Sequence, residues 1–257
     1  MEPQRLQAGR GWEWIKQGYK LFMQAPLLWV VMMMICLAAI IAIAVIPFIG
    51  QPLVSLLTPV IVVGVMAGCR ALHNGEELEL PQLFSGFHKH TSPLVTLGGI
   101  TLISQYLILG VMMLVGGGAL VSILMSSTDV SDPTIIAKGI AGAGLAVLIG
   151  AVLFSVLLMA TQFAPMIIYF NNAPPVAAMK LSISAFTHNV APMLVYSVTF
   201  VFLAILASLP MFLGWLVLLP VIFTSMYAAF IDIFPPIREA AAVPVANDIF
   251  SRDESHF

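Results

Sequence analysis

Six runs of apolar residues, each long enough to cross a bilayer as a helix, leave this chain little choice of fold. They cover residues 26–46, 52–69, 93–125, 139–170, 192–209 and 211–231. A spanning helix needs about 20 apolar residues, because the hydrocarbon core is about 30 Å thick and each helical residue rises about 1.5 Å. No water is present there to satisfy backbone N–H and C=O groups, so such runs must be helical. The second and fifth are short, and the third and fourth are long enough to tilt or to project beyond the bilayer. The expected fold class is an all-α integral membrane protein with six transmembrane helices. Composition agrees: of 257 residues, 60% are hydrophobic and 9% charged, with a mean hydropathy of +1.04, outside the range of soluble domains.

The sign and place of the charges then set an orientation. Arg5, Arg10, Lys16, Lys20, Arg70, Lys89, Lys180, Arg238 and Arg252 fall on one side of a six-span topology, and only Lys138 falls on the other. Basic residues stay on the cytoplasmic side of membrane proteins. Both termini are therefore expected in the cytoplasm, with a bacterial inner membrane as the simplest host. The first 25 residues scatter their basic side chains among Trp12, Trp14 and Tyr19, which does not read as a signal peptide. Residues 1–25 are read as a cytoplasmic interfacial segment, 26–234 as the membrane domain and 235–257 as a polar, mobile cytoplasmic tail. Cys36 and Cys69 both fall inside spans, where they read as packing residues with no disulfide framework.

The chain also repeats itself. A shift of 99 residues lays SGFHKHTSPLV, starting at Ser85, over SAFTHNVAPML, starting at Ser184, and a looser copy, GYKLFMQAPLL, contains Pro26. The second span of each pair repeats as TPVIVV around Pro59, APMIIY around Pro165 and LPVIFT around Pro220. The six spans thus read as three repeated hairpins, at about 26–69, 93–170 and 192–234, each preceded by an interfacial amphipathic segment. Pro26, Pro93 and Pro192 suit the first turn of a helix, where the missing N–H would be unsatisfied anyway. Pro59, Pro165 and Pro220 fall inside spans and are expected to kink them. Trp12, Tyr19, Phe22, Phe87 and Phe186 are expected to anchor the interfacial segments at the headgroups.

Candidate sites are few. His88 and His90, with His188, are the metal candidates, near Glu76, Glu77 and Glu79. Residues two apart point to different faces of a helix, and no HxxxH or HExxH occurs, so no metal and no other cofactor is expected. In the repeat, Thr187 stands in the place of His88 and Asn189 in the place of His90. Those positions require polarity, not imidazole. Asp232 is the one acid inside the end of an apolar run, and the 161-residue shift that aligns Pro59 with Pro220 puts Ala71 beneath it. A structural pair between Arg70 and Asp232 is therefore expected. Thr101, Ser104, Gln105 and Tyr106 in the third span, and Ser155, Thr161 and Gln162 in the fourth, are expected to hydrogen-bond to one another.

With three hairpins, each led by an aromatic segment and a proline (Phe22 and Pro26, Phe87 and Pro93, Phe186 and Pro192), the chain resembles a family of uncharacterised proteobacterial six-helix inner-membrane proteins. Its repeat layout is similar to that of the membrane domain attached to some glycerophosphodiester phosphodiesterases. The resemblance covers about residues 12–234. It implies the six-helix fold and no activity, since no segment here is large enough for the soluble phosphodiesterase domain. No GxSxG, P-loop, GxGxxG or CxxC occurs, and no enzyme is expected. The leading expectation is an accessory, assembly or scaffold subunit whose partners are membrane lipid and other membrane proteins or further copies of itself, with no nucleic acid. The second is a transporter or channel for a neutral or lipid-like solute. A cavity reaching Gln105 or Gln162 would favour the second.

Overall fold

The structure is a computed structural model that describes residues 3–125 and 133–235, and the side chains of these outside residues 118–142. Residues 126–132, between the third and fourth spans, lie outside the described residues, and so does the tail from residue 236 onward. Among the described residues every regular element is a helix. In chain order these are α1 (Arg10–Phe22), α2 (Pro26–Ala44), α3 (Gly50–His73), a 3-10 turn (Leu80–Phe84), α4 (Ser85–His88), α5 (Thr91–Met125), α6 (Pro133–Gln162), α7 (Ala164–Asn171), α8 (Pro175–His188), α9 (Val190–Ser208) and α10 (Trp215–Ile233). Six stretches are long and apolar enough to span a membrane: α2, α3, Thr91–Gly117 of α5, Ala143–Asn171 through α6 and α7, α9 and α10. The second span is not short: α3 has 24 residues, because Ala71 and Leu72 carry its buried face past Arg70.

Prolines act in two ways. Pro26 opens α2, and Pro93 and Pro192 sit in the first turns of α5 and α9, where no intrahelical N–H is lost. Pro59 and Pro220 lie inside unbroken helices. Pro165 departs from the expected kink, because the span breaks at Phe163 and Pro165 lies in the first turn of the separate helix α7.

The short helical segments pack in rotation. The 3-10 turn and α4 lie against α3, α8 lies against α6 and α7, and α1 lies against α10 and α9. Each segment thus meets the second span of the pair before it, and α1 closes onto the last pair. Two of these contacts use the same register. A Cβ on Gly18 of α1 would strike the backbone of Ser225 in α10, and one on Gly64 of α3 would strike the backbone of Leu83. A 65-residue shift places Gly18 over Leu83, and the 161-residue shift places Gly64 over Ser225. One glycine at each crossing lets the backbones touch. Thr224 Oγ1 then donates to the Gly18 carbonyl at 2.9 Å.

This packing corrects part of the anchor reading. The apolar face of α1 (Trp14, Ile15, Gly18, Leu21 and Phe22) is buried against protein and not against lipid. Phe22 belongs to the core, and Phe186 packs on Phe163 with ring centroids 5.5 Å apart. Trp12, Tyr19 and Phe87 lie at the surface.

The backbone N–H of Gln4 bonds the carbonyl of Ile233 at 2.9 Å, so the two described ends of the chain meet at one end of the bundle. The core lies at that end. In α3 every buried residue except Gly50, and in α10 every one except Leu218, lies at the internal proline or on the terminal side of it. The buried residues of α2 (Trp29, Met32, Met33) and of α9 (Pro192, Met193) are also near that end.

Candidate functional site

Toward the opposite end the spans part around a cleft of about 650 Å3 between α3, α5, the α6–α7 break and α10. Gln51, Ser55 and Thr58 face it from α3, at spacings that keep them on one side of the helix. From α5 come Thr101, Gln105 and Tyr106, and from α6 Thr161 and Gln162. Pro59, Pro165, Leu97 and Met226 form its deep end. From Leu97 to Leu109 on α5 the cleft runs about 18 Å, at about 1.5 Å per helical residue. Among the described residues lining it, none is charged.

These polar groups do not bond to one another as expected from sequence. The hydroxyls of Thr58, Thr101 and Thr161 each donate to a carbonyl one turn back on their own helix, at 2.6, 2.8 and 2.9 Å. So do those of Ser104 and Ser155. A local bond of this kind competes successfully because it needs no second helix in register. Gln162 reaches across to α10, with Nε2 at 2.9 Å from Met226 Sδ. That contact separates the cleft from a second cavity of about 270 Å3 between α6, α8, α9 and α10. The carboxamides of Gln51 and Gln105 carry no hydrogen bond within the described protein and face the cleft. Each offers two N–H donors and a carbonyl acceptor.

At the terminal end the acid of α10 finds a different partner from the one expected. Asp232 accepts two bonds from Arg10, Nε at 2.8 Å and a terminal nitrogen at 2.6 Å, and a third from Trp14 Nε1 at 2.7 Å. Arg10 and Trp14, one turn apart, present their donors from the same face of α1. The carboxylate raises the already high pKa of Arg10, chiefly through the side-chain hydrogen bond. Arg70 is not paired with Asp232: its guanidinium carbon lies over the ring of Phe170, 5.1 Å from the centroid. The aligned repeat placed Arg70 and Asp232 at similar depth, but α1 occupies the face of α10 that carries the acid. Nothing in the sequence around Arg10 marked this pairing. Its only trace is the Arg10–Trp14 spacing beside a lone acid.

The histidines serve separate neighbours. His88 Nδ1–H donates to the Phe84 carbonyl at 2.8 Å, and His188 Nδ1–H to the Ser184 carbonyl at 2.8 Å. His90 meets Tyr169 edge-on, with centroids 6.2 Å apart. Among the described residues no three His, Cys, Asp or Glu side chains converge.

The chain is 30% identical over 206 residues to a probable inner membrane protein of Burkholderia thailandensis, a match that covers 78% of this chain and 75% of that protein. No family model matches the chain, and no solved structure matches it. Nothing in these comparisons supports the likeness to the phosphodiesterase membrane domain.

Proposed function

The chain belongs to the family of that Burkholderia inner membrane protein, and we propose that its role is non-catalytic: it binds a neutral or lipid-like solute in the cleft and lets that solute move between the membrane and one aqueous side. The observation that carries this reading is the reach of the cleft to both Gln105 and Gln162. Its volume falls within the range of pockets that hold small ligands, about 300–1,000 Å3. The walls are apolar and the polar groups are uncharged. A charged solute would lose its hydration there without a counter-ion, at a cost of several kcal/mol. A solute with a carbonyl, hydroxyl or amide head and an apolar body would meet matching carboxamides and aliphatic walls. No Asp, Glu, His, Lys or Arg lines the cleft among the described residues, which supports passive movement over ion-coupled pumping. The Lys and Arg asymmetry favours cytoplasmic termini, so the cleft would open toward the outer side.

Native mass spectrometry of the protein tagged at its chromosomal locus, after extraction in mild detergent, tests the reading. The expected result is a small neutral or lipid-like adduct on the wild-type chain that is lost in the Gln105→Leu, Gln162→Leu variant. A chain that carries no adduct and travels with a stoichiometric protein partner would overturn it in favour of an accessory subunit.

A further inference from the structure

The terminal end of the bundle carries a second set of features that the cleft does not use. Three aromatic rings form a row: Tyr169 and Phe170 of α7, with centroids 5.1 Å apart, and Tyr227 of α10, 6.4 Å from Phe170. Basic side chains sit along this row. Lys89 Nζ lies 6.0 Å from the Tyr169 centroid, and the Arg70 guanidinium carbon lies 5.1 Å from that of Phe170. His90 and His73 meet Tyr169 and Tyr227 edge-on, at 6.2 and 6.0 Å. Four chain segments contribute, namely the end of α3, the α4–α5 junction, α7 and α10, so the group lies in the seam where the first two pairs of spans meet the last span.

Two features make this more than a solvated basic surface. First, among the described residues neither Arg70 nor Lys89 forms an ion pair, although Glu76, Glu77 and Glu79 follow in the adjoining turn. A cation resting on a ring face is held in place without losing its charge to a carboxylate. Second, Nε2 of His90 is buried and has no hydrogen-bond partner. A buried polar atom without a partner calls for an explanation, and an acceptor or donor arriving from outside the chain would supply one.

We propose that this seam binds the phosphodiester headgroup of an anionic phospholipid, with Arg70 and Lys89 holding the phosphate and the Tyr169–Phe170 row lying along the glycerol and upper acyl region. Basic pockets between spans at the headgroup level are suited to such lipids, and guanidinium matches phosphate oxygens in geometry as well as charge. The site is independent of the cleft: it needs charge, lies at the other end of the bundle and shares no lining residue with it.

The full chain, placed in nanodiscs of equal parts phosphatidylglycerol and phosphatidylethanolamine and then released into detergent, is assayed by mass spectrometry for the phospholipid it retains. The wild type is expected to retain phosphatidylglycerol preferentially. Arg70→Gln with Lys89→Gln should reduce that preference about thirty-fold, or about fivefold for each charge removed, while Arg70→Lys with Lys89→Arg should keep it. Lys16→Gln with Lys20→Gln removes as many charges from α1 at the same end and should leave it unchanged. If the double Gln variant fails to fold, Lys89→Gln alone, at an exposed position between helices, should still show the fivefold loss. An equal loss in the Lys16, Lys20 variant, or no wild-type preference, would overturn the site. Displacement of the lipid by millimolar inorganic phosphate would overturn the lipid assignment in favour of free phosphate.

Discussion

The two ends of this bundle are built on opposite principles. From Pro59 and Pro220 toward the termini, α3 and α10 are buried on nearly every turn, and Trp14, Trp29, Met66, Phe163 and Ile167 are almost wholly enclosed. From the same prolines toward the far end, the helices part, the turn residues Phe48 and Phe212 are exposed, and polar side chains face a cleft. In a bilayer the lipid is as apolar as the core, so helices join only where shape and hydrogen bonding reward it. Glycine crossings and the Asp232 cluster supply that reward at one end. At the other, Pro59 and Pro220 each remove a helical bond from their wall and a third wall breaks at Phe163, which lets the helices diverge.

The comparison can be broken most severely at a glycine crossing. Gly18→Leu forces α1 off Ser225, and overpacking of this kind costs about 1–3 kcal/mol or more. The expected outcome in fluorescence-detected size exclusion is loss of the monodisperse peak, and Gly64→Leu should match it. A normal profile would mean that the terminal end does not depend on backbone contact. Next comes Asp232→Ala, which strands the donors of Arg10 and Trp14. Each unpaired group costs about 1–3 kcal/mol when buried, and less here because the Arg10 side chain is 38% exposed. The thermal midpoint should fall by several degrees. Arg10→Asp with Asp232→Arg should restore part of it, and Arg70→Asp with Asp232→Arg should restore none.

Smaller effects sharpen the contrast. Arg70→Gln removes a cation–ring contact of about 0.5–1 kcal/mol and should shift the midpoint by a few degrees at most. Gln105→Leu at the cleft should change stability by less than about 0.5 kcal/mol, since its carboxamide holds nothing in the protein. Its effect should appear only in solute binding. A large loss of stability would mean that the cleft closes on itself.

Where the spans lie was readable from hydropathy because length and apolarity suffice for that. Pro26, Pro93 and Pro192 also occupy the first turns that their place before the apolar runs implied. What faces what was not readable, because every face of a spanning helix is apolar and periodicity loses its meaning. Phe22 carries the same aromatic signal as Trp12, yet one is in the core and the other at the surface. Gly18 and Gly64 show their role only at the crossings, where each lies against backbone. The Arg10–Asp232 pair joins residues 222 apart, and aligned depth favoured Arg70 equally well. Gln105 and Gln162 were visible as polar residues in apolar runs, whereas Gln51 lies just before the second run and carried no such signal. That they face an opening, instead of each other, follows from the divergence of helices beyond the prolines.

Cysteine accessibility in intact cells tests the division of the bundle most directly. Single cysteines at Gln51, Ser55, Gln105, Val63 and Met66, in a chain lacking Cys36 and Cys69, are exposed to a membrane-impermeant maleimide. The cleft positions Gln51, Ser55 and Gln105 should label, more slowly with depth, while the core positions Val63 and Met66 should not. Protection of Gln105 to the same degree as Met66 would contradict an open, water-reached cleft.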